Sequence, residues 1–241
     1  MDRKFLLVSL FSVLALPLFA QKLQVDTRPM QTEEARTADA WIAHLDQDVS
    51  YCIGTYSDFM KKTFSAKIDK RTKSVLSVNK TAFPEVSNLR IDQRAVFTPE
   101  SSGSTIAFMF SPGYDIHFGQ QLYSEEFLKG ETFVKSYVRF HYKVFYNELI
   151  KDLNDKIKSK NKSINSNQTR IDKNNKAIKA NEEDIAAGAT GAEKMKEKNI
   201  KLTKENEELF AEIEKLNTEI TNLNTEIGKA NESLVLVEAY K

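Results

Sequence analysis

Hydrophobic and polar positions along the chain fall into four stretches of different period. The first is a continuous apolar run, Phe5 to Leu16, behind a short head of Asp2, Arg3 and Lys4 and closed by Pro17 and Leu18-Phe19-Ala20. It is shorter than the roughly 20 apolar residues that a membrane span needs. A basic head, a short apolar core and a small residue at the cut describe a secretory signal peptide over residues 1–20, with cleavage between Ala20 and Gln21 although Leu18 is bulky for that site. The competing reading, an uncleaved anchor, is disfavoured by Pro17, which ends the helix early. Residues 21–31, which include Pro29, read as a flexible lead-in.

In the second stretch, from Thr32 to about Phe64, apolar residues recur at helical spacing through Trp41 or Ile42, Leu45, Val49, Cys52 or Ile53, Tyr56 and Met60. Thr32 is the predicted N-cap, with Glu33 and Glu34 in the first turn, and Gly54 predicts a bend or a break. The third stretch alternates. Strands are expected over Ser74–Phe83, ended by Pro84, over Leu89–Phe97, and over Thr105–Phe110 after the turn at Ser101–Ser104. Pro112-Gly113 fits a type II turn leading into a short fourth strand, Tyr114–Phe118. Links this short require antiparallel pairing. A helix opening near Ser124 carries Phe127, Phe133, Tyr137, Phe140, Tyr142, Phe145 and Tyr146, an aromatic content that suits a core better than a ligand box. Residues 32–146 thus read as an α+β domain: N-terminal helix, three- to four-stranded antiparallel meander, and covering helix.

The fourth stretch, residues 147–241, has the period of a coiled coil. Ile150, Ile157, Ile164, Ile171, Ile178 and Ile185 stand seven apart. In a returning arm, Met195, Leu202, Leu209, Leu216, Leu223, Ala230 and Val237 form a d series. The matching a series runs Asn199, Asn206, Ile213, Ile220, Ile227 and Leu234. Between the arms, at about 186–192, Gly188 stops the first helix, and Thr190 with Glu193 three residues on reads as a capping box for the second, ahead of which stands Gly191. With the first arm's isoleucines at a, its d positions are Leu153, Lys160, Asn167, Asn174 and Asn181, so the tip is expected to be the loosest part and a place for a partner to dock.

Overall charge, 35 basic against 34 acidic side chains, argues against nucleic-acid binding through net charge. Its distribution is more informative. Residues 151–179 hold nine basic and three acidic side chains, and 199–227 hold three and seven, so a chain folded back on itself sets opposite charges side by side. Parallel pairing between chains sets like against like, and the antiparallel hairpin is favoured.

Chemistry is sparse. Cys52 is the only cysteine, which rules out an internal disulfide, and it lies on an apolar stripe, the setting of an inert thiol. His44 with Asp48, and Asp115 with His117, each supply two ligands where a metal needs three or four. No cofactor pattern and no catalytic constellation is present, and the expectation is a non-enzyme without cofactor or metal.

The Leu18-Phe19-Ala20-Gln21 signal end, the strand-turn run Ile106–Gly113, the Ser124–Tyr146 helix and the heptads after it resemble uncharacterised exported proteins of Bacteroidota-type bacteria. The resemblance covers most of the chain without a sharp motif. It implies export, most simply to the periplasm, and one α+β domain joined to a coiled-coil hairpin. The expected function is structural or interactive at the cell envelope, through a protein partner or self-association of the hairpin, with no nucleic acid and no integral span in the mature chain. A periplasmic holding chaperone with tentacle-like arms and a small-ligand binder built on the aromatic base are the competing readings.

Overall fold

The computed structural model describes Leu23 and residues 25–32, 36–114 and 116–240; of residues 70 and 71 only the backbone is described. The expected signal peptide and its Ala20–Gln21 junction lie outside these residues. The chain divides into two compact units, one reaching Tyr146 and including Ser233 onward, the other Asn147–Glu232.

The first unit is α+β. Its described elements are β1 (Val25–Gln31), β2 (Thr37–Leu45), α1 (Val49–Phe64), β3 (Lys70–Arg71), β4 (Val75–Ala82), β5 (Arg90–Glu100) and β6 (Gly103–Ser111), followed by the start of α2 (Ser124–Ala186). The end of α3 (Ala192–Ala239) also belongs to it. All strand pairs are antiparallel, in the order β1-β2-β6-β5-β4-β3, and β3 contributes only two residues. The chain must therefore leave β2, form α1 and the β3–β5 meander, and return with β6 beside β2. At one edge, β1 carries Pro29 just after charged Asp26 and Arg28, residues that discourage another strand from adding there.

Two expectations fail at the start of this unit. Residues 25–31 form strand β1 rather than a flexible lead-in, and 37–45 form β2 rather than the first turns of a helix. The cause is burial on both faces of β2: Ala40, Ile42 and Ala43 are all solvent-inaccessible, so the strand reads as an unbroken apolar run whose chance 3–4 spacing resembles a helix. Thr32 closes the β1–β2 turn by exchanging hydrogen bonds with Arg36 instead of capping a helix. The true N-cap is Asp48, whose Oδ1 accepts from Tyr51 N–H at 2.8 Å. Residue 54 lies inside one uninterrupted α1.

The meander strands fall close to their expected positions, but no fourth strand follows among the described residues of 114–118. A lone bridge joins Gly113 to Ile116, and Phe118 N–H donates to Phe110 O. Gly113 at φ +103° and Tyr114 at φ +57° turn the backbone away from extended geometry.

One sheet face carries Trp41, Gln93, Phe97, Phe108 and Phe110 against α1 and the first turns of α2. Phe133 packs edge-on to Phe59, Phe83 and Phe110, and Tyr56 packs against Phe97, Phe108 and Tyr137. Trp41 stacks on Phe127 at 5.1 Å, and its Nε1–H donates to Phe127 O at 2.7 Å. The helix approaches closely because residue 130 is glycine: a Cβ there would stand 3.0 Å from Trp41 and 3.1 Å from Phe110.

The second unit is a helical hairpin formed by the rest of α2 and α3. Its arm of some 40 residues, 147–186, spans about 60 Å at 1.5 Å per residue. Asn174 Nδ2 donates to Asn206 Oδ1 (2.9 Å), Asn181 Nδ2 to Asn199 Oδ1 (2.6 Å) and Arg170 to Glu205 (2.6 Å), contacts that place the arms side by side and antiparallel. A Schellman turn ends the first arm: Ala189 N–H donates to Asp184 O and Gly188 N–H to Ile185 O, with Gly188 at φ +76°. The capping box expected at Thr190 does not form. Glu193 pairs forward with Lys196, and the residue before the helix is Gly191 at φ +95°, a backbone angle open to glycine and strained for threonine.

Candidate functional site: the flanks of the helical hairpin

Solvent exposure along the hairpin has a strict rhythm. In the first arm the shielded positions include Ile150, Leu153, Ile157, Lys160, Ile164 and Asn167, and continue by alternating steps of three and four through Ile171, Asn174, Ile178 and Asn181 to Ile185. The second arm shows the same rhythm from Met195 and Asn199 to Leu202, Asn206 and Leu209. It continues through Ile213, Leu216, Ile220, Leu223 and Ile227 to Ala230 and Leu234. Every seam residue named from the sequence occupies one of these positions. With Ala177, Glu205 and Glu219 on the adjoining g rows half-buried as well, two main shielded positions per seven residues make the narrow stripe of two helices that face each other.

The cross-arm hydrogen bonds also fix which residues oppose one another. Asn174 faces Asn206 and Asn181 faces Asn199, so two polar layers are internally paired, and Asn206 Nδ2 donates in addition to Asn175 Oδ1 at 2.8 Å. The same register sets Asn167 opposite Ile213. Asn167 is buried, and its Nδ2 has no hydrogen-bond partner.

The charge complementarity read from the sequence is concentrated on one flank. With the first-arm isoleucines at a, the g positions of that arm are Lys156, Ser163, Arg170, Ala177 and, near the tip, Asp184, and those of the second are Lys198 near the tip and then Glu205, Glu212, Glu219 and Glu226. Arg170 bridges to Glu205, Lys160 reaches out from the seam to Glu219, and that hydrogen bond draws the Glu219 carboxyl below its ordinary range. Lys156 is held above its ordinary value mainly by Asp152 on its own helix, with a smaller pull from Glu226 across the seam. The e positions form the opposite flank. On the first arm they are Asn154, Asn161, Gln168 and Asn175, followed by Glu182 near the tip. On the second they are Lys196 near the tip and then Thr203, Phe210, Asn217, Asn224 and Asn231. Apart from Glu182 and Lys196 at the tip, these nine residues are uncharged and exposed, Phe210 at 53%.

The other candidates are packing groups. Cys52 is solvent-inaccessible, donates to Gln47 O at 3.5 Å, and burial pushes its thiol up to about 12, away from nucleophilic use. His141 is also inaccessible, with Nδ1 2.7 Å from Thr55 Oγ1 and Nε2 2.6 Å from Gln47 Oε1, and burial lowers it to about 3. The neutral imidazole accepts at Nδ1 and donates at Nε2. Tyr137 OH, donating to Cys52 O at 3.1 Å, extends the same network. Sequence reasoning did not single out His141, and its only signal was a histidine placed within the aromatic stripe of a helix.

His44 and Asp48 do not share a helix. His44 stands on β2, with Nε2 3.5 Å from Asp26 and Nδ1 3.7 Å from Glu100, and Asp48 caps α1. Asp115 lies outside the described residues, and His117 borders an open cavity of about 490 Å³ with Arg36, Asp39, Gln120 and Leu122. Among the described residues no three His, Cys, Asp or Glu side chains gather as metal ligands, and no helix is long and apolar enough to cross a membrane. The aromatics of the covering helix are core: Phe127, Phe133, Tyr137 and Tyr142 are at most 2% exposed. Compared with family models, curated proteins and solved structures, the chain matches none.

Proposed function

We propose that this chain is a non-catalytic, exported structural or interaction protein of the bacterial cell envelope, of the Bacteroidota type it resembles, and that it binds a partner protein through a coiled-coil hairpin. The α+β unit is the folded base of the molecule and the hairpin is its binding element. The observation that carries this reading is the two-in-seven exposure rhythm, which leaves most of the surface of both arms outside the seam. A helix pair that only filled space inside its own fold would present a wider shielded stripe. Export to the periplasm rests on the Phe5–Leu16 run and the Ala20–Gln21 junction.

The test is in-cell crosslinking from probes at Gly188, Gly191 and Phe210, read by mass spectrometry, with fractionation of the same cells. A defined protein joined at these positions, and lost when residues 150–234 are replaced by an unrelated helical hairpin, is the expected result. Recovery of the chain in the cytoplasm with an intact N-terminus defeats the export reading. Crosslinks that are independent of the hairpin sequence defeat the binding reading.

A further inference from the structure

We propose that the e flank of the hairpin, uncharged apart from Glu182 and Lys196 at the tip, is the docking face for a second copy of this chain, an inference that rests on the hairpin being the binding element. An interface around a two-fold axis brings a surface against itself, so that surface must be complementary to itself. The charges along the g flank are already engaged inside each copy, Arg170 with Glu205 and Lys160 with Glu219, which leaves the other flank to satisfy that condition. The e flank meets it. An amide side chain carries both donors and an acceptor, so the Asn and Gln row of one copy's first arm pairs with the Asn-rich row of the other copy's second arm without like-charge contact.

Phe210 supplies what the amides lack. It is a large apolar side chain, 53% exposed, with Thr203 and Asn217 along its own row and Glu207 and Glu214 on the adjoining b row, and an aromatic ringed by polar residues is the composition of an interface centre. Ile200, 71% exposed, stands at the adjoining b position on the same side of the helix. The charge blocks select the arrangement: the basic 151–179 arm of one copy lies against the acidic 199–227 arm of the other. A two-fold axis parallel to the arms achieves this, sets both tips at the same end and brings Phe210 of the two copies to one level beside the axis. Arm-to-identical-arm docking would stack basic on basic. With only one aromatic per copy and the rest polar side chains, mostly amides, the association is weak, in the micromolar range of small polar interfaces.

Sedimentation equilibrium on the purified full chain tests this. The expected result is a reversible monomer–dimer equilibrium that weakens at least tenfold in Gln168→Glu/Asn217→Glu, which places carboxylates on the e flank, and is unchanged in Lys176→Glu on the outer f face. Helical circular dichroism shows that each variant stays folded. Independently, Phe210→Cys should form a disulfide-linked dimer on mild oxidation, and Lys176→Cys should not, with buried Cys52 silent in both. A strict monomer up to about 1 mM, or a dimer indifferent to the e-flank carboxylates, overturns the proposal. A monomer that still gives hairpin-dependent crosslinks to another protein overturns the second copy alone; a monomer with none overturns both readings.

Discussion

Acidification should weaken the α+β unit through one residue, His141. In the fold its imidazole is neutral, wedged between Thr55 and Gln47 with the rings of Tyr51, Tyr137 and Tyr142 around it, and burial holds its pKa near 3 against an ordinary 6.5. Below pH 6.5 the unfolded chain takes up a proton that the folded chain refuses. The contribution is therefore complete above pH 6.5, declines as pH falls, and is exhausted near pH 3. At about 1.4 kcal/mol per pH unit, the loss at pH 4 is about 3 kcal/mol, a large part of the 5–15 kcal/mol that stabilises a typical domain. Acidification also protonates carboxylates throughout any protein, so a variant lacking only the imidazole is needed for comparison. Urea unfolding followed by near-ultraviolet circular dichroism between pH 7.5 and pH 4 should show wild type losing about 3 kcal/mol more than His141→Gln. Parallel curves for the two proteins would refute the assignment, because the slope would then come from carboxylates alone.

Four further outcomes follow from the same geometry. Gly103→Ala should cost about 3 kcal/mol or more in chemical denaturation, since Gly103 sits at φ +115° and a Cβ would fall 2.0 Å from Leu45 O. Asn167→Leu should stabilise the hairpin by about 1–2 kcal/mol in helical thermal melts by removing a buried amide with an unused donor, whereas Asn181→Leu should destabilise it by about 1 kcal/mol by stranding Asn199. Tyr56→Phe should cost about 1–3 kcal/mol in urea titrations, because the Tyr56 hydroxyl is the partner of buried Gln93 Oε1 and the Gln93 Nε2 already has none. Cys52 should react with a thiol reagent only at the rate of global unfolding, and prompt labelling at pH 8 would contradict its burial.

The parts of the fold that were legible in the sequence share one property: a single shielded face. Residues Arg90–Phe97 alternate because their opposite side is open or half-open, and the seam of the hairpin repeats every seven residues because nothing but the other arm covers it. The misreading of 37–45 came where both sides of a strand are covered and the period vanishes. Pairings between distant residues were equally hidden. Nothing local to His141 announces Gln47 or Thr55, and nothing local to Gly130 announces Trp41. For the hairpin, block charges indicated antiparallel arms, but averaging over whole arms concealed that the ion pairs gather on the g flank and the amides on the e flank.

Trp41 is the chain's single tryptophan, and it stacks on Phe127 with its indole N–H bonded to that helix's backbone. Its fluorescence is therefore a native gauge of whether helix α2 is seated on the sheet, and no tryptophan in the hairpin unit competes with that emission. Far-ultraviolet ellipticity, in contrast, is weighted toward the long helical arms. Emission and ellipticity recorded on one unmodified sample thus separate the unfolding of the two units, and a gap between the transitions measures how much stability each holds on its own.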